Sequence, residues 1–158
     1  MDPYLLVKTV HIISSTILFG TGLGTAFHGL MANRSGNLAA TAVVNRNVVL
    51  ADFLFTTPAV LIQPATGLWL ALYAGVPLTE GWLLLSLILY ILVGACWLPV
   101  VWLQLRMRRL ADTALSAGTG LPALYHRYSR WWFALGWPAF AAVLAIFYLM
   151  VAKPDLGF

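Results

Sequence analysis

The sequence predicts an all-α protein, a four-helix transmembrane bundle. Its 158 residues are 61% hydrophobic and only 9% charged, whereas soluble domains carry roughly 25% charged residues. Four continuous apolar segments each reach the roughly 20 residues that a helix needs to cross the hydrocarbon core. Backbone groups in lipid must be hydrogen-bonded within their own segment, so these segments are predicted to be helices. Their continuity argues against the short alternating strands of a membrane barrel.

The four segments form one predicted integral membrane domain, residues 1–158. They cover approximately residues 4–31, 48–75, 81–105 and 131–151. Polar linkers at 33–41 and 76–80 separate the first three segments, and the longest linker, 106–130, is rich in arginine. In the second linker, Thr79 is predicted to cap the third helix at its N-terminus, because a threonine hydroxyl can accept a hydrogen bond from a first-turn N–H.

Basic residues predict the orientation of the chain in the membrane. Only Lys8 and Lys153 lie on the side of the two termini, while seven arginines lie on the opposite side. These are Arg34, Arg46, Arg106, Arg108, Arg109, Arg127 and Arg130. The positive-inside rule therefore predicts an N-out/C-out protein. Such arginines also account for the net charge of +4. Since no nucleic-acid motif is present, we expect the lipid bilayer, and no nucleic acid, as the partner.

Small residues recur at helical spacing within two of the segments. Gly20 and Gly24 form one pair, and Gly67, Ala71 and Gly75 form a second series. Small side chains let helix backbones approach closely in lipid. Two interpretations stay open, since such stripes serve packing inside one bundle or between the protomers of a homo-oligomer.

Polar residues inside the apolar segments fall into two sets according to their depth. The outer set comprises Lys8, His11, Gln63, Ser86 and Tyr148. For His11 three roles stay open: a neutral histidine hydrogen-bonded within the bundle (for instance to Gln63), a metal or haem ligand, or a group that handles protons. Lys8 either shares the face of His11 three residues later or extends its ammonium to the outer interface.

His11 and His28 cannot bind one metal ion or one haem iron together. They lie 17 residues apart, which is about 25 Å along a helix. His11 is therefore at most one half of a cofactor site, and another helix must supply the other half.

The second set lies near the cytoplasmic face and comprises His28, Asp52, Gln104, Arg106 and Arg130. Asp52 is the only acidic residue well inside an apolar segment, and such groups are costly in a membrane. One interpretation is a structural ion pair of Asp52 with Arg106 or Arg130. The other is a proton or cation relay through Asp52 and His28.

Cys96 and Met107 offer soft sulfur ligands of the kind that copper prefers, although no metal-binding spacing accompanies them. No serine-protease-type triad, phosphate-binding loop, dinucleotide fingerprint or zinc-protease signature is present. The residues alone therefore leave open whether the protein is an enzyme.

Five stretches of the chain resemble the bacterial predicted integral membrane proteins of the domain of unknown function 2269 family. They are Lys8–Ile13 (KTVHII), Phe19–Phe27 (FGTGLGTAF), Asp52–Leu68 (DFLFTTPAVLIQPATGL), Gly94–Gln104 (GACWLPVVWLQ) and Trp132–Pro138 (WFALGWP). The resemblance implies a multi-pass protein of the bacterial inner (plasma) membrane with four helices. It implies no activity.

A fainter resemblance is to the HemJ-like membrane protoporphyrinogen oxidases and, more distantly, the CopD copper-resistance proteins. It rests on the Lys-x-x-His of Lys8 and His11, on Phe19, on Thr57–Ala59 with Gly67–Leu68, and on Lys153–Pro154. The resemblance implies haem b held by His11. It implies copper handling as a third, less favoured, function.

The chain departs from those oxidases at two places. Ser86 stands where they have a lysine that is linked with haem b and activity, and their Asn-Glu pair before Pro138 is missing. The resemblance therefore implies a haem b or porphyrin protein with a redox-linked role and a membrane redox partner, without protoporphyrinogen oxidation. Lys8, Gln63 and Ser86 would line the site of His11. The rival interpretation is a non-enzymatic membrane subunit or a transport or proton-relay protein.

Overall fold

Four long helices make up the computed structural model, which describes residues 2–157. Helix α1 spans Pro3–Arg34. Helix α2 (Leu38–Ala51), a π-helical turn (Asp52–Thr56) and helix α3 (Thr57–Tyr73) follow as one continuous rod. Helix α4 spans Gly81–Ala117 and helix α5 spans Ala123–Ala152. By length and composition, all four long helices are able to cross a membrane, so the predicted all-α, four-helix class is confirmed.

The helices are longer than the predicted segments. The second long helix begins at Leu38 instead of about residue 48, and α4 continues to Ala117 instead of ending near residue 105. Most of the predicted 106–130 linker is helical, so the actual break is residues 118–122. Hydropathy marks the part of a helix that lies in hydrocarbon, whereas the helix itself continues through amphipathic turns until a residue such as Gly118, with φ of 64°, ends it.

The predicted N-terminal cap of the third helix is wrong. The cap position of α4 is Glu80, whose side chain makes no capping hydrogen bond. A side-chain cap does occur at α2, where Asn37 Oδ1 accepts from the Ala40 N–H at 3.0 Å. Asn37, at the end of the short loop 35–37, thus satisfies a first-turn N–H of α2.

Packing differs between the two ends of the molecule. We call the end with loops 35–37 and 118–122 the arginine-rich end, and the end with both termini and loop 74–80 the terminal end. The main apolar core lies toward the arginine-rich end, where α2, α4 and α5 meet. Its members are Ala42, Val48, Leu103, Met107, Ala111, Tyr125 and Trp132.

Toward the terminal end, α1 packs along α3 while α4 packs along α5. Phe19 of α1 joins the two pairs, since its ring lies 5.1 Å from that of Phe140 and 5.5 Å from that of Phe147. Large apolar side chains cover the outer surface, among them Leu61 and Ile91, which are 68% and 71% exposed. An apolar exterior of this kind fits the hydrocarbon of a bilayer.

Candidate functional site

The central feature of the site is the π-helical turn Asp52–Thr56. The Thr57 N–H bonds to the carbonyl of Asp52, five residues earlier, and the Thr57 hydroxyl reaches the same carbonyl at 2.9 Å. Pro58 follows at once. It has no N–H to donate, and in an α-helix its ring would collide with the carbonyl four residues before it. The wider π turn relieves this conflict, and such turns occur often at functional sites.

The turn directs Asp52 into the bundle, where its side chain meets neutral donors. Asp52 is only 8% exposed. Its Oδ2 lies 3.0 Å from the Gln104 amide nitrogen, and the Gln104 amide oxygen lies 3.3 Å from Trp132 Nε1. In the opposite orientation of the Gln104 amide, its oxygen would face the Asp52 carboxyl oxygen and its nitrogen would face the Trp132 N–H, so neither hydrogen bond could form. Trp97 Nε1 adds a long contact of 3.5 Å to Asp52 Oδ1. The carboxyl of Asp52 therefore belongs to a network whose other members, on α4 and α5, are neutral.

The predicted ion pair of Asp52 with Arg106 or Arg130 does not form. Between residues 2 and 157, the ion pairs are those of Asp112 with Arg46 and Arg108. Arg106 is exposed and its guanidinium lies over the Trp102 ring, 5.4 Å from the centroid. Long arginine side chains near a helix end extend toward the interface, so they leave a carboxyl deeper in the bundle unpaired.

The predicted pairing of His28 with Asp52 also does not form. His28 is exposed on the outer face of α1, and its Nδ1 lies 2.8 Å from the carbonyl of Gly24 on its own helix. Of the five residues in the predicted cytoplasmic-side set, the structure thus joins only Asp52 and Gln104.

A second polar network lies between the Asp52 cluster and the arginine-rich end. Tyr125 is 1% exposed. Its hydroxyl donates to Asn33 Oδ1 at 2.7 Å and accepts from Asn45 Nδ2 at 2.9 Å, and Asn33 in turn donates to the Ser129 hydroxyl at 2.9 Å. Through these bonds α1, α2 and α5 share one set of satisfied polar groups.

A small cavity joins the two networks. Its volume is about 10 Å³, which is the room that one water molecule occupies. Gln104 and Trp132 of the Asp52 cluster line it together with Asn33, Asn45 and Tyr125. Polar groups therefore continue from the buried carboxyl of Asp52 to Ser129 near the arginine-rich end.

The outer set of predicted residues forms a separate cluster between α1 and α3. His11 Nδ1 lies 2.8 Å from the Thr66 hydroxyl, whereas the side chain of Gln63, the partner that the sequence suggested, bonds to Ser14. Gln63 Oε1 instead accepts from the buried Ser14 hydroxyl at 2.7 Å. These two side-chain hydrogen bonds lock the register of α1 against α3. Gly67 permits the approach, because a Cβ there would lie 3.1 Å from His11 Cε1.

The hydrogen bonds around Thr66 also assign the tautomer of His11. The Thr66 hydroxyl lies 2.7 Å from the carbonyl of Ile62, which can only accept. The hydroxyl therefore donates to that carbonyl and accepts from the Nδ1–H of His11. The lone pair of His11 then resides on Nε2, which is the arrangement of a ligating histidine whose other nitrogen is oriented by a hydrogen bond.

Two other residues predicted for this site stand apart. Lys8 is exposed, and its ammonium lies 5.7 Å from the Tyr4 ring centroid, as expected for a lysine that extends to the interface. Ser86 is buried, but its hydroxyl donates to the carbonyl of Trp82 on its own helix at 2.7 Å. Neither side chain hydrogen-bonds to His11.

The sulfur residues proposed for copper are both buried, Cys96 as a free thiol. Across residues 2–157, no three His, Cys, Asp or Glu side chains come together as a metal-binding group.

Several residues of these networks were missed by sequence reasoning. They are Asn33, Asn45, Thr66, Tyr125, Ser129 and Trp132. Asn33, Tyr125 and Ser129 lie in the stretches predicted to be linkers, 33–41 and 106–130. The available signal was the spacing of Tyr125, Ser129 and Trp132, which places all three on one face of a helix that begins at Ala123.

Comparison with known proteins gives one match. No curated protein and no solved structure matches the chain. A family model described as predicted integral membrane protein (DUF2269) matches residues 5–154. Together with four helices that can span a membrane, this match identifies the chain as a member of the DUF2269 family of predicted integral membrane proteins.

Proposed function

We propose that this protein relays protons in the membrane, with the carboxyl group of Asp52 as the proton-exchanging group. The observation that carries the proposal is the burial of Asp52 among neutral donors, connected through Gln104 to the polar cavity and the Tyr125 network. Ionisable groups that face the interior of a membrane bundle are costly and typically serve substrate, ion or proton pathways.

The chemistry of the network fits a relay. Asp52 supplies the one carboxyl group in it, while amides, hydroxyls and a water-sized cavity carry hydrogen bonds onward. A structural carboxyl would gain most from a cation, yet Asp52 forms no ion pair within residues 2–157. The route leads to the arginine-rich end, which the positive-inside rule places in the cytoplasm.

The route toward the other face is less continuous. Gln63 and Ser14 form the next polar pair, and Gln63 lies about 16 Å farther along the helix from Asp52. Between them the Tyr90 hydroxyl donates to the carbonyl of Val60 at 2.6 Å. Two polar regions separated by an apolar stretch are suited to regulated transfer rather than to an open pore.

The test is proton flux in vesicles. Purified protein is reconstituted into liposomes that contain a pH-sensitive dye, and a potassium diffusion potential drives protons inward. We expect the wild type to acidify the lumen faster than protein-free liposomes do. The Asp52→Asn variant keeps the shape of the side chain and one acceptor oxygen but lacks the exchangeable proton, so its rate is expected to fall to that of empty liposomes.

The matched control is Asp155→Asn, since Asp155 lies in the exposed C-terminal tail after α5. This variant is expected to transport like the wild type. Flux by Asp52→Asn equal to the wild-type rate, in protein that melts at the wild-type temperature, would contradict the proposal. So would a wild-type rate no higher than that of empty liposomes.

A second candidate function, favoured by the tautomer of His11, is binding of haem b. Thr66 orients the ring so that Nε2 carries the free lone pair, and neutral imidazole nitrogen is an ordinary axial ligand of haem iron. His11 thus fits the role of one ligand. When bound, haem b would supply one-electron redox chemistry, while Thr66 would hold the tautomer and Gly67 the position of the ring.

The visible spectrum of protein purified from haem-replete cells tests this candidate. A Soret band is expected in the wild type and in a His28→Ala control, because His28 lies on the outer face of α1. It is expected to disappear in His11→Ala and to weaken in Thr66→Val. A colourless wild-type protein, or a band unaffected by His11→Ala, would refute haem binding at this position.

A further inference from the structure

A groove lies on the outer surface between α2 and α4, near the arginine-rich end. Neither proposed function uses it. Its volume is about 400 Å³. Arg46, Asn47 and Arg108 supply its polar lining. Leu50, Phe53 and Leu105 supply most of its apolar lining.

The polar and apolar residues of the groove are ordered along the membrane normal. On the second long helix, Arg46, Leu50 and Phe53 follow one another at helical spacing, and the arginine lies nearest to the arginine-rich end. On α4, which runs in the opposite direction, Leu105 precedes Arg108, so the arginine again lies nearer to that end. The groove therefore has a cationic mouth and an apolar continuation about 10 Å deeper.

The two arginines are held together by one carboxylate. Asp112 Oδ1 accepts from Arg46 Nε at 2.7 Å, and Asp112 Oδ2 lies 3.8 Å from Arg108 Nε. One negative charge between two positive ones leaves a net positive charge at the mouth. Because Asp112 engages the Nε atoms, the terminal nitrogens of both guanidinium groups stay available. These side chains are 49% and 45% exposed.

The apolar continuation is open to the bilayer. Leu50 and Phe53 are each 56% exposed. An acyl chain would cover these apolar side chains, whereas a water-soluble anion would leave them uncovered. Basic pockets between transmembrane helices on the cytoplasmic side are known to hold anionic lipid headgroups, and the guanidinium group matches phosphate geometry. The charge and the apolar lining together select an amphiphile.

We propose that this groove binds an anionic phospholipid of the surrounding leaflet, with its phosphate between Arg46 and Arg108 and one acyl chain along Leu50 and Phe53. The arginines expected from the positive-inside rule need only lie at the interface. That rule does not explain why Asp112 brings two of them together over an apolar groove. This arrangement indicates a defined binding site instead of a diffuse positive charge.

Native mass spectrometry of the detergent-purified protein tests the proposal. Phosphatidylglycerol and phosphatidylcholine are added at equal concentration, and the bound fraction of each is measured. We expect the wild type to retain phosphatidylglycerol preferentially. The Arg46→Gln/Arg108→Gln double variant is expected to bind it more weakly by roughly fivefold per arginine, on the order of 25-fold in total. The matched control, Arg34→Gln/Arg127→Gln, removes the same charge at the same end and is expected to bind like the wild type.

A third variant distinguishes a lipid from a free phosphate ion. Leu50→Gln leaves both arginines in place but makes the apolar part of the groove polar, so it is expected to weaken lipid binding. Inorganic phosphate is expected not to displace the lipid. Equal loss in the two arginine pairs, displacement by inorganic phosphate, full lipid binding by Leu50→Gln, or no preference for phosphatidylglycerol would each overturn the proposal. Thermal melting of every variant verifies that it is folded.

Discussion

At His11, a single hydrogen bond affects both the packing of two helices and the chemistry that the ring can offer. The Thr66 hydroxyl accepts from Nδ1–H, which ties α1 to α3 and leaves Nε2 with its lone pair. The hydrogen bond to Thr66 is therefore the same whether His11 only stabilises the packing or also binds haem iron. The two roles differ only in what approaches Nε2, which is why a spectrum, and not a stability measurement, separates them.

Tyr125→Phe is expected to lower the free energy of unfolding by about 1–3 kcal/mol, because it removes a hydroxyl and leaves buried amides of Asn33 and Asn45 without that partner. Denaturant titration in detergent measures the change. Tyr148→Phe is the matched control, since Tyr148 is 66% exposed, and it is expected to have no effect. Equal stability of both variants would contradict the bridging role of Tyr125.

The residues that carry chemistry could be predicted more readily than their partners. His11, Gln63, Asp52 and Gln104 stand out because polar groups are rare in apolar segments. Which of them meet depends on the rotation of each helix about its own axis, and a window of hydropathy contains no such information. The side-chain hydrogen bond of His11 that was expected with Gln63 is therefore made with Thr66, three residues away on the same face.

At the scale of the helices, hydropathy predicted their number and order but not their ends. The ten residues before Val48 and the twelve after Leu105 are helical although they carry arginine, asparagine and aspartate. These extensions are held by contacts that depend on the fold, such as Asn45 with Tyr125 and Arg46 with Asp112. Local composition alone therefore predicts linkers at such polar stretches.

The small-residue stripes behave differently from one helix to another. In α3, Gly67 lies against the His11 ring and Ala71 is buried. In α1, a Cβ on Gly20 or Gly24 would meet nothing within 4 Å in the described chain. Gly67 and Ala71 of α3 pack inside the bundle, so the question of a homo-oligomer concerns the α1 pair, Gly20 and Gly24.

Gly67→Ala is expected to lower the free energy of unfolding by about 1–3 kcal/mol. The added methyl group would lie 3.1 Å from His11 Cε1, and the hydrogen bond to Thr66 limits how far the ring can retreat. Thermal melting in detergent provides the measurement. Gly94→Ala is the control, because a Cβ at Gly94 meets nothing within 4 Å. It is expected to be neutral or slightly stabilising through helix propensity, and a larger loss at Gly94 than at Gly67 would contradict the contact.

For the whole molecule, the two ends have different constructions. The terminal end consists of two helix pairs joined by aromatic and hydroxyl contacts, whereas the arginine-rich end encloses the apolar core, the polar cavity and the polar networks around Asp52 and Tyr125. Relay and lipid binding are both assigned to the second end. Under the proposed relay, the orientation of this end in the cell determines the compartment with which Asp52 would exchange protons.

Cysteine labelling tests that orientation. In a Cys96→Ala background, Thr79→Cys and Thr119→Cys place single thiols in the exposed loops 74–80 and 118–122. We expect a membrane-impermeant maleimide to label Thr79→Cys in intact cells and Thr119→Cys only after lysis, because the arginines place the second loop in the cytoplasm. The reverse pattern would contradict the N-out/C-out prediction.

The π-helical turn lets the rod formed by α2 and α3 hold one extra residue without losing its rotational phase. Each residue of an α-helix advances the chain by about 100°, so an extra residue in a regular α-helix would rotate everything beyond it by that angle. The π turn has more residues per turn and accommodates the extra residue locally, within Asp52–Thr56. Deleting one residue there and closing the turn to an α-helix is therefore expected to keep Thr66 beside His11 and Gln63 beside Ser14, whereas a deletion in the α-helical residues between Thr57 and Gln63 would separate both pairs.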